Sequence, residues 1–269
     1  MPAEVTTAFY RVVDTGEDFE IVQPGQTTVG PWNPRVQHGG PPAALLGRAL
    51  ERLAAASGQP MTVSRFTLDL LGPVPLSPLR VPAAVLRSGR SVDLVTAELV
   101  DPAAGRTVAQ ARAWRVPLRT QGPVTAATEP PPGPEHGVHK EPPPSWRCGY
   151  LDSVEWAWIE GAVTTPGPAV MWMRPRIRLV EDEDLSPLQR LLVCVDSASG
   201  ASSELDAREW GFLNTDLTVH LLRPLTGEWV GLVARTELGG GAAGTALSQV
   251  FDRRGLVGHS AQALLIAPR

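Results

Sequence analysis

The chain is sparing with several residue types. It has two cysteines in 269 residues, Cys148 and Cys194. Two thiols cannot build a disulfide framework and they suit a reducing compartment, so a cytoplasmic protein is expected. No stretch reaches the ~18–20 apolar residues that span a bilayer. The best candidates, such as Val230–Ala234, are only long enough for a strand. The start of the chain has no basic cluster followed by an apolar run, so no secretory signal is read there. Positive charge is not in excess: 24 Lys+Arg face 28 Asp+Glu, a net charge of −4. That balance argues against a generally basic surface for nucleic acid or anionic lipid.

What is present is apolar bulk, glycine and proline. Hydrophobic residues make up 43% of the chain, enough for a sizeable core. There are 26 glycines and 27 prolines, about a fifth of the residues and short of the ~25–30% that marks disorder. The prolines cluster between Leu118 and Trp146, at positions 123, 130–132, 134 and 142–144. Proline lacks a backbone donor and fixes φ, so this stretch reads as an extended, solvated linker. The division expected is a unit over 1–118, a linker over 119–147 and a unit over 148–269. His136 and His139 fall in the linker without converging partners, and no metal is expected.

The two units look like copies of one another. Phe66-Thr67-Leu68-Asp69-Leu70-Leu71-Gly72-Pro73 matches Leu217-Thr218-Val219-His220-Leu221-Leu222-Arg223-Pro224. After each proline come three strand-like runs: Leu79–Leu86, Val92–Val100 and Val108–Val116 in one unit, and Trp229–Leu238, Thr245–Phe251 and Val257–Ile266 in the other. Alternating apolar and polar residues at ~8–12-residue intervals predict antiparallel strands. Upstream of each set lies an amphipathic segment, Pro41–Leu53 and Pro187–Val195, each opening on proline and predicting a helix. Extra strands are expected over Phe19–Val22, at Val29 and over Met171–Leu179. Trp156, Trp158 and Trp172 fall in the opening strands of the second unit and read as core or interface.

Two short motifs mislead. Gly239-Gly240-Gly241-Ala242-Ala243-Gly244 satisfies G-x-G-x-x-G, but a dinucleotide site needs a helix after it. A strand-like run follows instead, so the glycines are expected at a hairpin tip and no cofactor is implied. Gly258-His259-Ser260-Ala261-Gln262 approaches a nucleophile elbow. It lacks the last glycine, and no acid or histidine follows it, as that chemistry requires.

Duplicated helix-plus-meander units joined by a linker resemble the double-hotdog acyl-CoA thioesterases of the thioesterase II type. The local motif carrying the resemblance best is His38-Gly39-Gly40-Pro41-Pro42-Ala43-Ala44, similar to the Gly-Gly entry of the first hotdog helix. The implied fold is α+β, two copies of a long helix wrapped by antiparallel sheet. The implied activity is hydrolysis of acyl-CoA to fatty acid and CoA, within fatty acid metabolism, and the implied assembly is a homodimer. In that family a water is activated by an Asp, a hydroxyl residue and a Gln. Carried over, these fall on Asp196, on Asn214 or Thr215, and on Gln262. Asn214 stands where the family has a hydroxyl, and strand neighbours face opposite sides, so one residue of register decides which side chain enters the site. His38, Gly39 and Gly40 are the expected substrate contacts, with backbone N–H groups at the helix start able to take negative charge. Prolines 41 and 42 lack that donor.

Each residue also has a plainer reading: Asp196 a helix-end cap, Gln262 an edge polar residue, Asn214-Thr215 a strand start, His38 a turn former. Two other functions remain open. One is a non-catalytic acyl-CoA binder, which the Asn214 departure favours. The other is an enoyl-CoA hydratase, whose Asp…His dyad is only partly echoed by Asn33-Pro34 and His38, since no aspartate precedes them closely.

Overall fold

The computed structural model describes residues 7–55, 57–119, 121–123 and 128–269. The first six residues and part of the proline-rich stretch therefore lie outside the described residues. The first unit runs β1 (Ala8–Thr15), β2 (Phe19–Pro24), α1 (Gly40–Arg52), β3 (Met61–Leu70), β4 (Leu79–Arg87), β5 (Asp93–Asp101) and β6 (Arg106–Pro117). The second runs α2 (Gly149–Ser153), β7 (Val154–Ala162), β8 (Thr165–Pro175), β9 (Arg178–Val180), α3 (Pro187–Val195), α4 (Ala198–Ala201), β10 (Trp210–Asn214), β11 (Asp216–Leu221), β12 (Val230–Leu238), β13 (Ala243–Asp252) and β14 (Gly255–Pro268).

The fourteen strands among the described residues all join one sheet. Its order is β7-β8-β12-β13-β14-β11-β3-β6-β5-β4-β2-β1-β9, with β10 also pairing to β14. The pairings are antiparallel except for β1 with β9. Read outward from the β11–β3 junction, β14-β13-β12-β8-β7 mirrors β6-β5-β4-β2-β1, while β9 at the far edge and β10 have no counterpart among the described residues. The sequence repeat explains the junction. Thr67 and Thr218 are equivalent in the repeat and are also cross-strand partners, flanked by Leu68↔Leu217 and Phe66↔Val219. A pseudo-two-fold axis therefore passes between the two threonines. Phe66, Leu68, Leu217 and Val219 all face inward and are buried, while Asp69 and His220 face out.

Helices α1 and α3 pack on one another and share one core with the inner faces of both half-sheets. Their close approach depends on glycine. A Cβ at Gly40 would strike the Val193 carbonyl, and one at Gly47 would sit 2.6 Å from Leu192 Cδ1. At the start of α3 is a capping box: the Ser186 hydroxyl accepts from Gln189 N, and the Gln189 side chain accepts from Ser186 N. Helix α3 spans the nine residues its pattern predicted, against thirteen for α1, and so is not the second long helix that the resemblance implied. It tightens at Ser197 N–H to Cys194 O, turns at Asp196 and Ser197, and resumes as α4.

The hairpin glycines lie between β12 and β13, where Gly240 has φ 77°, a turn conformation rather than a nucleotide loop. Ser260 lies within β14, its hydroxyl 2.6 Å from that of Ser248 on β13. The proline-rich stretch is more engaged with the body than a solvated linker. Trp172 Nε1 donates to the Pro132 carbonyl at 2.7 Å, and Val138 forms a bridge with Trp158. His139 bonds Glu141 at 2.9 Å, and His136 is exposed beside Glu135. No helix among the described residues is long and apolar enough to cross a membrane.

Candidate active site

Where α3 ends against the start of α1, Asp196 is 4% exposed. Its Oδ1 accepts from Asn214 Nδ2 at 2.8 Å and from Gln262 Nε2 at 3.1 Å. Gln262, fully buried on β14, also donates to the Asp196 carbonyl, and its own Oε1 accepts from Ser199 N. That last bond fixes the amide the right way round, with NH₂ toward the carboxylate. Asn214 reaches Asp196 because it ends β10, on the side of the sheet facing α3. Thr215 does not join them. It occupies the bend between β10 and β11, with its hydroxyl 3.4 Å from the Ala263 carbonyl. The strand-start reading of this pair is thus corrected: Asn214 closes one strand and Thr215 is the break before the next.

The other carboxylate oxygen, Oδ2, accepts no hydrogen bond from the described residues. It lies 3.3 Å from His38 Nδ1. His38 Nδ1 accepts the Gly40 N–H at 3.1 Å, which places the ring proton on Nε2. Burial holds the imidazole pKa below its ordinary value, against the opposing pull of Asp196. The neutral ring stacks on Tyr150 at 3.7 Å and 4°. Tyr150 is fixed in turn, its hydroxyl bonded to the Val193 carbonyl and 2.7 Å from Ser197 Oγ. Its phenol is pushed well above the usual pKa by burial.

Gly39 makes this approach possible. A Cβ there would lie 2.6 Å from Asp196 Oδ2. The helix start offers less than four free donors: Gly40 N–H is taken by His38, and Pro41 and Pro42 have none. Among the described residues no acceptor takes the Gly39 N–H.

His38, Gly39, Asp196, Asn214 and Thr215 line a cavity of about 660 Å³, with Gln262 and Tyr150 behind that lining. Trp32, Trp146 and Phe212 line it, and so do Leu151, Trp156 and Val163. Sequence reasoning had named Asp196, Asn214, Gln262, His38 and Gly39. It missed Tyr150 as the platform for His38, Ser199 as the group that orients Gln262, and Trp156 as a cavity wall. The only sequence signal for the last was its i, i+2 spacing with Trp158.

The fold is similar to that of solved hotdog proteins. A candidate thioesterase II from Thermobifida fusca YX superposes with a TM-score of 0.77 at 19% identity, covering 95% of each chain. A conserved protein of unknown function with a hotdog fold from Alicyclobacillus acidocaldarius gives 0.75 at 17% identity, over 94% of this chain and 95% of that one. The acyl-CoA thioesterase II TesB2 of Mycobacterium marinum gives 0.69 at 13% identity, over 96% of each. At these identities the likeness establishes the hotdog fold. Sequence-family models go further: residues 28–116 match the acyl-CoA thioesterase N-terminal domain and residues 125–266 the C-terminal domain. The chain belongs to the acyl-CoA thioesterase family. Among curated proteins none is significantly similar to it.

Proposed function

We propose that the protein hydrolyses acyl-CoA thioesters to a carboxylic acid and free CoA. The observation that supports this reading is the division of labour on one buried carboxylate. Two amide donors hold Asp196 Oδ1, leaving Oδ2 without a donor among the described residues, in a cavity large enough for an acyl thioester. Oδ2 takes a proton from a water as that water's oxygen adds to the thioester carbonyl. The tetrahedral intermediate then collapses, the C–S bond breaks, and the thiolate leaves and is protonated. General-base help of this kind is worth ~10²–10⁴-fold. Asn214 supplies the donor that a hydroxyl supplies elsewhere in the family, so the replacement keeps the carboxylate oriented. His38 and Gly39 border the same oxygen, and the Gly39 N–H and the His38 Nε2–H are the donors offered to the substrate carbonyl.

One contact favours a second reading. His38 stands 3.3 Å from Asp196, an acid–imidazole pair of the kind that hydrates enoyl-CoA. Its aspartate comes from the other half of the chain. Free thiol release from saturated acyl-CoA, followed beside the loss of enoyl absorbance from a 2-enoyl-CoA, separates the two. Thiol release supports hydrolysis; hydration without thiol release refutes it; tight binding with neither reaction leaves the non-catalytic binder.

A further inference from the structure

A second cavity of about 240 Å³ adjoins the first. Leu151, Trp156 and Val163 line both, so these three side chains form the partition. Trp156 is the largest of them and is held in place on three sides. It stacks on Trp158 at 5.7 Å and 9°, meets Tyr150 edge-on at 6.5 Å, and donates from Nε1 to the Leu151 carbonyl at 3.3 Å. Tyr150 carries His38 on its face. One aromatic ring, Tyr150, therefore separates the partition from His38. Beyond the partition, the second cavity is walled by Trp158 and Val154 and reaches charged residues of the proline-rich stretch.

We infer that Trp156 sets the longest acyl chain the site accepts, by closing the catalytic cavity against a second space whose near wall, Trp158 and Val154, is apolar and whose far wall, with Asp152, Arg147 and Arg176, is charged. The inference rests on the reading that an acyl-CoA occupies the main cavity. A chain anchored at Asp196 and running toward Leu151 meets the indole face and stops there. Removing the indole joins the two spaces. A further methylene laid against Trp158 and Val154 then gains up to about fourfold in affinity, by the usual transfer value, and the gain ends where the charged wall begins.

Two readouts test this, on wild type, Trp156→Ala, Trp156→Phe and Val163→Ala. One is kcat/KM for CoA release across saturated acyl-CoAs of rising length. The other is the dissociation constant of S-alkyl-CoA thioethers, which bind without being hydrolysed. For Trp156→Ala the long-to-short ratio is expected to rise at least tenfold in both, with a smaller rise for Val163→Ala and none for Trp156→Phe. Val163 is partly exposed at the β7–β8 turn, so it opens the partition without disturbing the aromatic stack. Superimposable length profiles in wild type and a folded opened variant overturn the inference. No CoA release by any protein, with the thioether profile still shifted, refutes the hydrolysis but upholds the partition.

Discussion

Replacing Gly39 by alanine is the sharpest perturbation the site allows. Gly39 has φ −67° and ψ −21°, ordinary helical values, so the backbone bears no strain from a side chain. Alanine there would even be favoured over glycine by ~0.5–1 kcal/mol in the unfolded-state balance. The new methyl, however, would lie 2.6 Å from Asp196 Oδ2 and 2.9 Å from Oδ1. Ordinary contact begins near 3.4 Å, so the carboxylate must retreat by about 0.8 Å. It has little room, being held by Asn214 and Gln262 on its far oxygen. A misplacement of about 1 Å in a reacting group costs ~10²-fold in rate. Gly39→Ala is therefore expected to lower kcat about 10²-fold with its melting temperature nearly unchanged. Gly239→Ala, at a hairpin tip where a Cβ meets no atom within 4 Å, controls for the glycine change itself. The assay is thiol release with a thermal melt on the same samples. A Gly39→Ala protein that keeps kcat within threefold of wild type would refute the claimed crowding of the carboxylate.

Other expectations concern the site and its scaffold. Asn214→Ala removes a donor from Asp196 and should cut kcat at least tenfold more than Thr215→Val, whose hydroxyl bonds the Ala263 carbonyl instead; steady-state kinetics of both variants decide it. Arg115 is buried with Asp93 at 3.1 Å and also donates to the carbonyls of Leu50 and Leu53, closing the C-terminal end of α1. Arg115→Ala leaves that carboxylate unpaired and should cost ~3–5 kcal/mol in urea unfolding. Glu20 and Glu183 both grip Arg48. Burial alone would raise the Glu20 pKa, but Arg48 and Arg52 overcome it, and bonding to Arg48 lowers that of Glu183. Depressed carboxylates contribute stability above the ordinary glutamate pKa of ~4.3 and lose it as pH falls through their folded values. Urea midpoints should thus fall on acidification below about pH 5, and Arg48→Met should flatten that fall.

The repeat was legible because it is local and periodic. Its Thr67 and Thr218 already mark the axis on which the two half-sheets meet. The helix over Pro187–Val195 was readable from its proline start and apolar spacing, and α1 begins one residue earlier than its pattern implied. Strands β1 and β10 were not legible. β10 has five residues, with only Phe212 buried, too short for alternation to register. The site was half legible. Asp196 and Gln262 were singled out by the family resemblance and placed by their positions at a helix end and on the last strand, and their side chains do meet in the fold. The choice between Asn214 and Thr215 turned on a bend that no pattern announces. The contact of His38 with Asp196 joins the two halves of the chain and depends on how closely α1 and α3 pack. Only Gly39 and Gly40 hinted at that, and glycine alone does not say what it makes room for.

The central claim is that Asp196 is the base that activates water. The direct measurement is kcat/KM for CoA release by Asp196→Asn, with S-alkyl-CoA affinity measured on the same protein. The amide keeps the shape of the side chain and cannot take the proton, so kcat/KM is predicted to fall ~10²–10⁴-fold while the dissociation constant stays within threefold. Turnover by Asp196→Asn equal to wild type, at equal affinity, would contradict the account.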